Sequence, residues 1–212
     1  VVGDDPAPPP RRLTARGAAT RERIIAAASD LMYVKGVAAT TLGEILVASA
    51  SSKSQFRQHF ADKDDLVAAV IEHRAQVVLR DQTRHLARVD SIRGIEQWSS
   101  ALLQRNDLLR GAWGCMLGSL AAELSDVDEG SRLRLADHFG EWEQLLAEAV
   151  ARMRDSGILR DDVDPAAVAT SIMAAVQGGY LLAQVSRDST PMKLALDMAL
   201  AHLRTFQTSP PG

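Results

Sequence analysis

Cysteine is almost missing. Cys115 stands alone among 212 residues, so no internal disulfide can staple this chain, and a lone thiol suits a reducing compartment. No run reaches 18 uninterrupted apolar residues, and no membrane span is expected. Residues 1–20 mix Pro, Asp and Arg and lack the apolar stretch of a secretion signal, which points to the cytoplasm. Strand signals are nearly absent, because no stretch alternates β-branched and polar residues. The signatures of catalysis are missing as well. The five histidines at 59, 73, 85, 138 and 202 never fall four apart, and no HExxH, GxSxG, P-loop or CxxC pattern occurs. Neither an enzyme nor a metal or other cofactor is therefore expected. Glu141, Glu143 and Glu148 read as one solvated helix face.

What is present is helix. Apolar residues make up 46% and charged residues 24%, ordinary for a globular chain. The net charge of −3 hides an asymmetry: residues 1–63 hold nine Lys/Arg against six Asp/Glu, and residues 64–212 hold 15 against 21. The basic end suits a polyanion, although chance would produce the same imbalance. Residues 1–19 read as a Pro- and Arg-rich arm. A first helix spans about 20–35, with Ile24, Ala27, Ala28 and Leu31 as its apolar stripe and Gly36 as its stop. Two capping boxes follow eleven residues apart, Thr41-Leu42-Gly43-Glu44 and Ser52-Lys53-Ser54-Gln55. They start short helices at about 42–48 and 53–59, the sequence form of a helix-turn-helix. Further helices are expected at about 63–88, 92–110, 115–124, 130–155, 165–186 and 190–206. Asp62, Ser91, Asp164-Pro165 and Thr190-Pro191 supply start signals. The reading is an all-α chain of about nine helices: arm 1–19, DNA-binding unit 20–66, ligand and dimer domain 67–205, tail 206–212.

The expected turn sits in a longer series of landmarks. These are Thr20-Arg21-Glu22-Arg23-Ile24-Ile25, Lys35-Gly36-Val37, Ala39-Thr40-Thr41-Leu42, Ser52-Lys53-Ser54-Gln55-Phe56, His59-Phe60 and Asp62-Lys63-Asp64-Asp65-Leu66. Over about 47 residues this series resembles the TetR family of repressors. Polar side chains at Ser52, Lys53, Ser54, Gln55, Arg57 and Gln58 suit a helix entering the major groove of double-stranded operator DNA, while Phe56 and Phe60 would face inward. The resemblance implies backbone contacts from Thr40 or Thr41, Lys53, His59 and Lys63, and base contacts from Gln55 and Ser54. Three positions depart from the family pattern: Ala50 in the turn where Gly is usual, Ser51 where an apolar residue is usual, and Arg57 where an aromatic is usual. If residue 50 needs positive φ, Ala there costs roughly 1 kcal/mol relative to Gly.

The C-terminal part carries weaker signals. Gly114-Cys115-Met116-Leu117-Gly118-Ser119-Leu120 resembles the Gly-Cys-Pro-Leu-Gly segment of an LmrA/YxaF-like branch, with Met116 in place of Pro. Ala174-Ala175-Val176-Gln177-Gly178-Gly179 suits the same branch, which implies a ligand-gated repressor without naming the ligand. Trp98, Trp113 and Trp142, with Met116, Leu117, Leu120, Leu145, Met173 and Gln177, form the candidate pocket for a small effector; the alternative is ordinary core. Helix 165–186 is apolar around much of its circumference, which calls for burial on more than one side. Val176, Gly178, Gly179, Tyr180 and Leu182, with Leu196, Leu200 and Leu203 of the last helix, are the candidate homodimer interface. Two other functions fit the same residues. One is a ligand-independent DNA-binding activator or architectural protein, and the other is a ligand carrier or enzyme on a repressor-like scaffold.

Overall fold

The computed structural model describes residues 14–208. Nine α-helices account for nearly all of the regular structure among these residues: α1 Ala15–Lys35, α2 Leu42–Ala48, α3 Lys53–Arg57, α4 Lys63–Leu86, α5 Ile92–Leu108, α6 Met116–Leu124, α7 Glu129–Asp155, α8 Pro165–Ser186 and α9 Thr190–Arg204. The all-α expectation holds.

Side-chain caps set most of the starts. Asp62 accepts from Asp65 N at 2.9 Å, Ser91 from Gly94 N at 3.3 Å, Asp128 from Ser131 N at 2.8 Å and Asp164 from Ala166 N at 3.0 Å. Each satisfies an amide that the helix itself leaves free. Gly36 ends α1 at φ 86°, a backbone conformation that few side chains tolerate.

Four boundaries differ from the sequence reading. Helix α1 begins at Ala15, where Thr14 caps Gly17 N at 3.2 Å, so residues 15–19 are helix and not arm; the first thirteen residues lie outside the described ones. Helix α3 stops at Arg57, which leaves His59 in the turn that follows. At α9 the capping role falls to Asp188, whose Oδ1 accepts from both the amide and the hydroxyl of Thr190. The start of the expected tail is tied down. Arg160 N donates to Phe206 O at 2.9 Å and Thr208 N to Ile158 O at 3.1 Å, pinning residues 206–208 to the loop between α7 and α8, while residues 209–212 lie outside the described ones.

Two layers share one apolar core. The first three helices close over Ile24, Ile25, Ala28, Ile45, Phe56 and Phe60. The Phe56 and Phe60 rings lie 5.4 Å apart, and burying each stabilises by about 1.5–3 kcal/mol. The long α4 packs on α1 and also on α7, α6 and α5, so it belongs to both layers. Helices α8 and α9 pack along each other, with α7 behind α8 and α5 behind α9. Among the described residues, α8 is the one helix long and apolar enough to cross a membrane; half of that stretch is packed inside the protein.

Candidate nucleic-acid interface and the adjoining cavity

The turn between α2 and α3 is built by a Schellman motif. Ala50 N donates to Val47 O at 3.1 Å and Ser51 N to Leu46 O at 3.0 Å, which satisfies the last carbonyls of α2. The motif requires a left-handed residue, and Ala50 supplies it at φ 48°. The chain then extends through Ser52, which opens α3 with a complete capping box: Gln55 N donates to Ser52 Oγ at 3.1 Å and Ser52 N to Gln55 Oε1 at 2.8 Å. The other box holds α2, with Glu44 bonded to Thr41 and to Lys35. The Lys35 ammonium, then the Thr41 bonds, pull the Glu44 carboxyl down to about 2.

Ser52, Lys53, Ser54, Arg57 and Gln58 are exposed side by side on and around α3, and Thr41 is exposed at the start of α2. Four of the expected DNA-facing residues need revision or detail. Thr40 is fully buried and its hydroxyl donates to Gly36 O at 2.7 Å, so it is removed from the surface. The Gln55 carbonyl is committed to its own helix cap, which leaves only the amide NH₂ to offer a base. His59 is half-buried against Phe60, with Nδ1 buried and unpartnered. Lys63 is half-buried and donates to Val37 O at 2.7 Å. Arg23, which the sequence reading passed over, is exposed and reaches the turn itself, donating to Ser49 O at 3.4 Å.

The expected pocket of three tryptophans does not form. Trp98 is core, its indole N–H donating to Gln82 Oε1 at 2.7 Å. Trp113 is not helical: it sits at φ 71° in the loop after α5, half-exposed, with its ring 6.1 Å from Tyr33. Trp142 alone of the three lines the central cavity, with Met116. Leu117, Leu120 and Met173 are buried core and Leu145 packs against that core, and none of the four lines the central cavity or the adjoining groove. Gln177 lines a neighbouring groove of about 370 Å³ whose wall includes Gly114, Cys115, Gly118, Phe139, Tyr180 and Leu181. The central cavity itself holds about 30 Å³ and shares Gly114, Cys115 and Tyr180 with the groove. Burial pushes the Cys115 thiol up, as it does the phenols of Tyr33 and Tyr180.

The wall between cavity and groove is bonded to α1, both directly and through α4. Tyr33 of α1 donates its hydroxyl to Gly114 O at 3.1 Å. Arg74 of α4 is fully buried and donates to Ser29 Oγ at 3.2 Å, Ser29 O at 2.7 Å and Met116 O at 3.2 Å. Its guanidinium lies 5.2 Å over the Tyr33 ring, and burial lowers its pKa. Val37, just past α1, donates its amide to Glu123 of α6 at 2.7 Å. Charged side chains are seldom buried without such a set of acceptors. Tyr33, Arg74 and Glu123 were missed from the sequence, where each is an isolated polar residue in a helix.

The candidate interface residues divide in two. Val176, Gly179, Leu196 and Leu203 are buried within the protomer and have no free face for a partner. A Cβ on Gly179 would meet Met192 Sδ at 2.7 Å, so this glycine serves the α8–α9 contact inside one chain. Tyr180 and Leu200 are half-buried. Gly178 and Leu182 do face outward. They continue into a stripe outside the candidate set: Leu181 and Val185 on α8, Leu194 and Met198 on α9, all more than half exposed. The stripe was hidden because α8 is apolar nearly all round, so periodicity does not separate its inner from its outer face.

A short helix presented by a capped turn, on a three-helix unit joined to a larger helical domain, defines a helix-turn-helix DNA-binding regulator. Residues 24–70 match the family described as bacterial regulatory proteins, tetR family, and residues 92–199 match the tetracyclin repressor-like C-terminal domain. An HTH-type transcriptional regulator in the lacX 3′ region of Lactococcus lactis subsp. lactis is 28% identical over 84% of this chain and 90% of that protein. The HTH-type transcriptional regulator LmrA of Bacillus subtilis is 26% identical over 82% of this chain and 90% of its own, in line with the branch that Gly114–Leu120 resembles. In fold, the regulatory protein TetR from Rhodobacter sphaeroides superposes with a TM-score of 0.77 at 20% identity, over 86% of this chain and 98% of that one. The chain belongs to the TetR family. It is a transcriptional regulator and not an enzyme, as its curated relatives are.

Proposed function

We propose that this protein is a homodimeric repressor that leaves a palindromic operator when a small molecule binds its C-terminal domain. One observation carries the reading. The segment Gly114–Met116 walls the cavity and also accepts hydrogen bonds from Tyr33 and Arg74, the latter bonded to α1. A molecule that displaces this segment cannot leave the position of α1 unchanged. The mechanism is a population shift: the effector favours dimers whose recognition helices are wrongly spaced for DNA.

The partner is a second copy of the chain, seated on the stripe of Leu181, Leu182, Val185, Leu194 and Met198. Small α8 residues, Ala174 and Gly178, are exposed two turns and one turn before the large ones and let a second helix come close. Isologous pairing of this face presents two α3 helices related by a two-fold axis, which is why the DNA site should be palindromic. Lys53, Arg57, Lys63 and Arg23 supply phosphate contacts, and Ser54 and the Gln55 amide touch bases. The setting is the cytoplasm, where such DNA lies.

Selection of bound fragments from random duplex DNA tests this. The expected product is an inverted repeat whose affinity falls steeply with salt. Recovery of asymmetric sites only, or of none, contradicts the reading.

A further inference from the structure

Two residues that line the central cavity each hold a buried polar atom with no hydrogen-bond partner among the described residues: the indole Nε1 of Trp142 and the amide Oδ1 of Asn106. Building on the proposed effector role of this domain, we propose that the cavity takes an uncharged or anionic aromatic molecule that carries both a hydrogen-bond acceptor and a donor, of the phenolic-carbonyl kind, and that it rejects cations.

The chemistry follows from what the wall offers. An indole N–H can only donate, and an amide oxygen can only accept. Native proteins rarely leave either buried and unpaired. The contrast with Trp98 is direct: that buried indole has Gln82 at 2.7 Å, whereas Trp142, equally buried, has nothing. A ligand with one acceptor and one donor satisfies both atoms together. Val78, Leu102, Leu109 and Met116 supply the apolar surface that an aromatic ring requires. Charge sets the remaining preference. Arg105, half exposed and 3.9 Å from Asp81, is the one ionic side chain on this wall, and no carboxylate lines it. A cation there would be desolvated without a counter-charge, while an acceptor oxygen or an anion is favoured.

The volume dictates how such a molecule enters. At about 30 Å³ the cavity matches the space of a single water, while the adjoining groove holds about 370 Å³. A ring fits only if the two merge, and the partition is Gly114 and Cys115. The chain leading to it is held in unusual conformations, with Arg110 at φ 51° and Trp113 at φ 71°. Gly111 at φ 70° lies so close to α8 that a Cβ would sit 2.5 Å from Ala183 O. Strain of this kind persists where the surroundings impose it, and it is released when the segment moves. Entry of the ring therefore displaces Gly114, the acceptor of the Tyr33 hydroxyl.

Calorimetric titration of the full-length, DNA-free protein tests the chemistry with four probes: para-hydroxyacetophenone, para-hydroxybenzoate, para-xylene and para-methylbenzylamine. The first two should bind at least about tenfold more tightly than the last two, the factor that one or two neutral hydrogen bonds supply. Trp142→Phe keeps a ring but removes the donor, and should weaken para-hydroxyacetophenone about tenfold while leaving para-xylene unchanged. Asn106→Leu serves as a second variant should Trp142→Phe fail to fold, with the same expectation. Binding of para-methylbenzylamine or para-xylene as tight as that of the phenolic ketone overturns the proposal, as does binding of no probe, or unchanged binding in the folded variants. Operator release, followed separately by fluorescence anisotropy, distinguishes the two levels: tight phenolic binding without release upholds the cavity chemistry and contradicts the effector role.

Discussion

Replacing Ala50 by Gly should make this protein more stable, although Gly is usually the weaker residue. Ala50 occupies the left-handed position of the Schellman motif at φ 48° and is exposed, so its methyl group packs against nothing that the change would lose. Holding an L-residue there costs roughly 1–2 kcal/mol. Gly removes that cost but adds about 0.4–1 kcal/mol of freedom to the unfolded chain. The balance is a net gain of about 0.5–1 kcal/mol, which for a chain of this length raises Tm by roughly 1–4 °C. Thermal unfolding by circular dichroism, at one fixed protein concentration so that any association equilibrium is matched, reads the shift. Ala48→Gly is the control. It lies two residues earlier, as the last residue of α2, where Gly has only a helical penalty and should lower stability by up to about 1 kcal/mol. If Ala50→Gly lowers Tm as Ala48→Gly does, the turn does not depend on the left-handed residue and the reasoning fails.

Other outcomes follow from the same geometry. Arg74→Met trades three hydrogen bonds, each about 1.5–3 kcal/mol when the donor is charged, for relief from burying a guanidinium; the terms largely cancel. The variant should therefore fold and bind operator while losing most of its response to effector, and a full response would count against Arg74 as a link. Leu182→Glu with Val185→Glu should give folded monomers in sedimentation, since both side chains are exposed on the protomer at 58% and 77%. Leu196→Ala, by contrast, should cost about 2–5 kcal/mol of protomer stability, because Leu196 is buried within one chain. Equal dimer content in the double glutamate variant and the wild type would remove this face from the account. Glu44 should titrate near 2 by carbon NMR. Its folded value lies below the unfolded one, so its contribution to stability is complete above about pH 4.5 and is lost as pH falls toward 2. A midpoint near 4.5 would mean that Lys35 and Thr41 do not hold it.

The parts of this protein that local chemistry determines were legible from its sequence. Capping residues and their partners lie three residues apart, so Thr41 with Glu44 and Ser52 with Gln55 announced α2 and α3 before any packing was known. The left-handed demand on residue 50 was legible for the same reason. What required three dimensions was the sorting of apolar residues that look alike. Trp98, Trp113 and Trp142 are one residue type in three environments: a satisfied core indole, a half-exposed loop ring and an unsatisfied cavity wall. Periodicity also does not tell Leu182 from Val176 in a helix that is apolar on most sides, yet one faces out and the other in. Arg74 was invisible because its partners, Ser29 and Met116, lie more than 40 residues away in either direction.

The central claim is that the cavity and the recognition helix are two ends of one switch, and reciprocity tests it most directly. Binding of para-hydroxyacetophenone is titrated with and without saturating operator, and operator binding is titrated with and without saturating ligand. A switch predicts the same factor in both directions, about 5- to 150-fold for a coupling of about 1–3 kcal/mol, with each partner weakening the other. Equal ligand affinity in the presence and absence of operator would show that the two sites share a chain but not a mechanism.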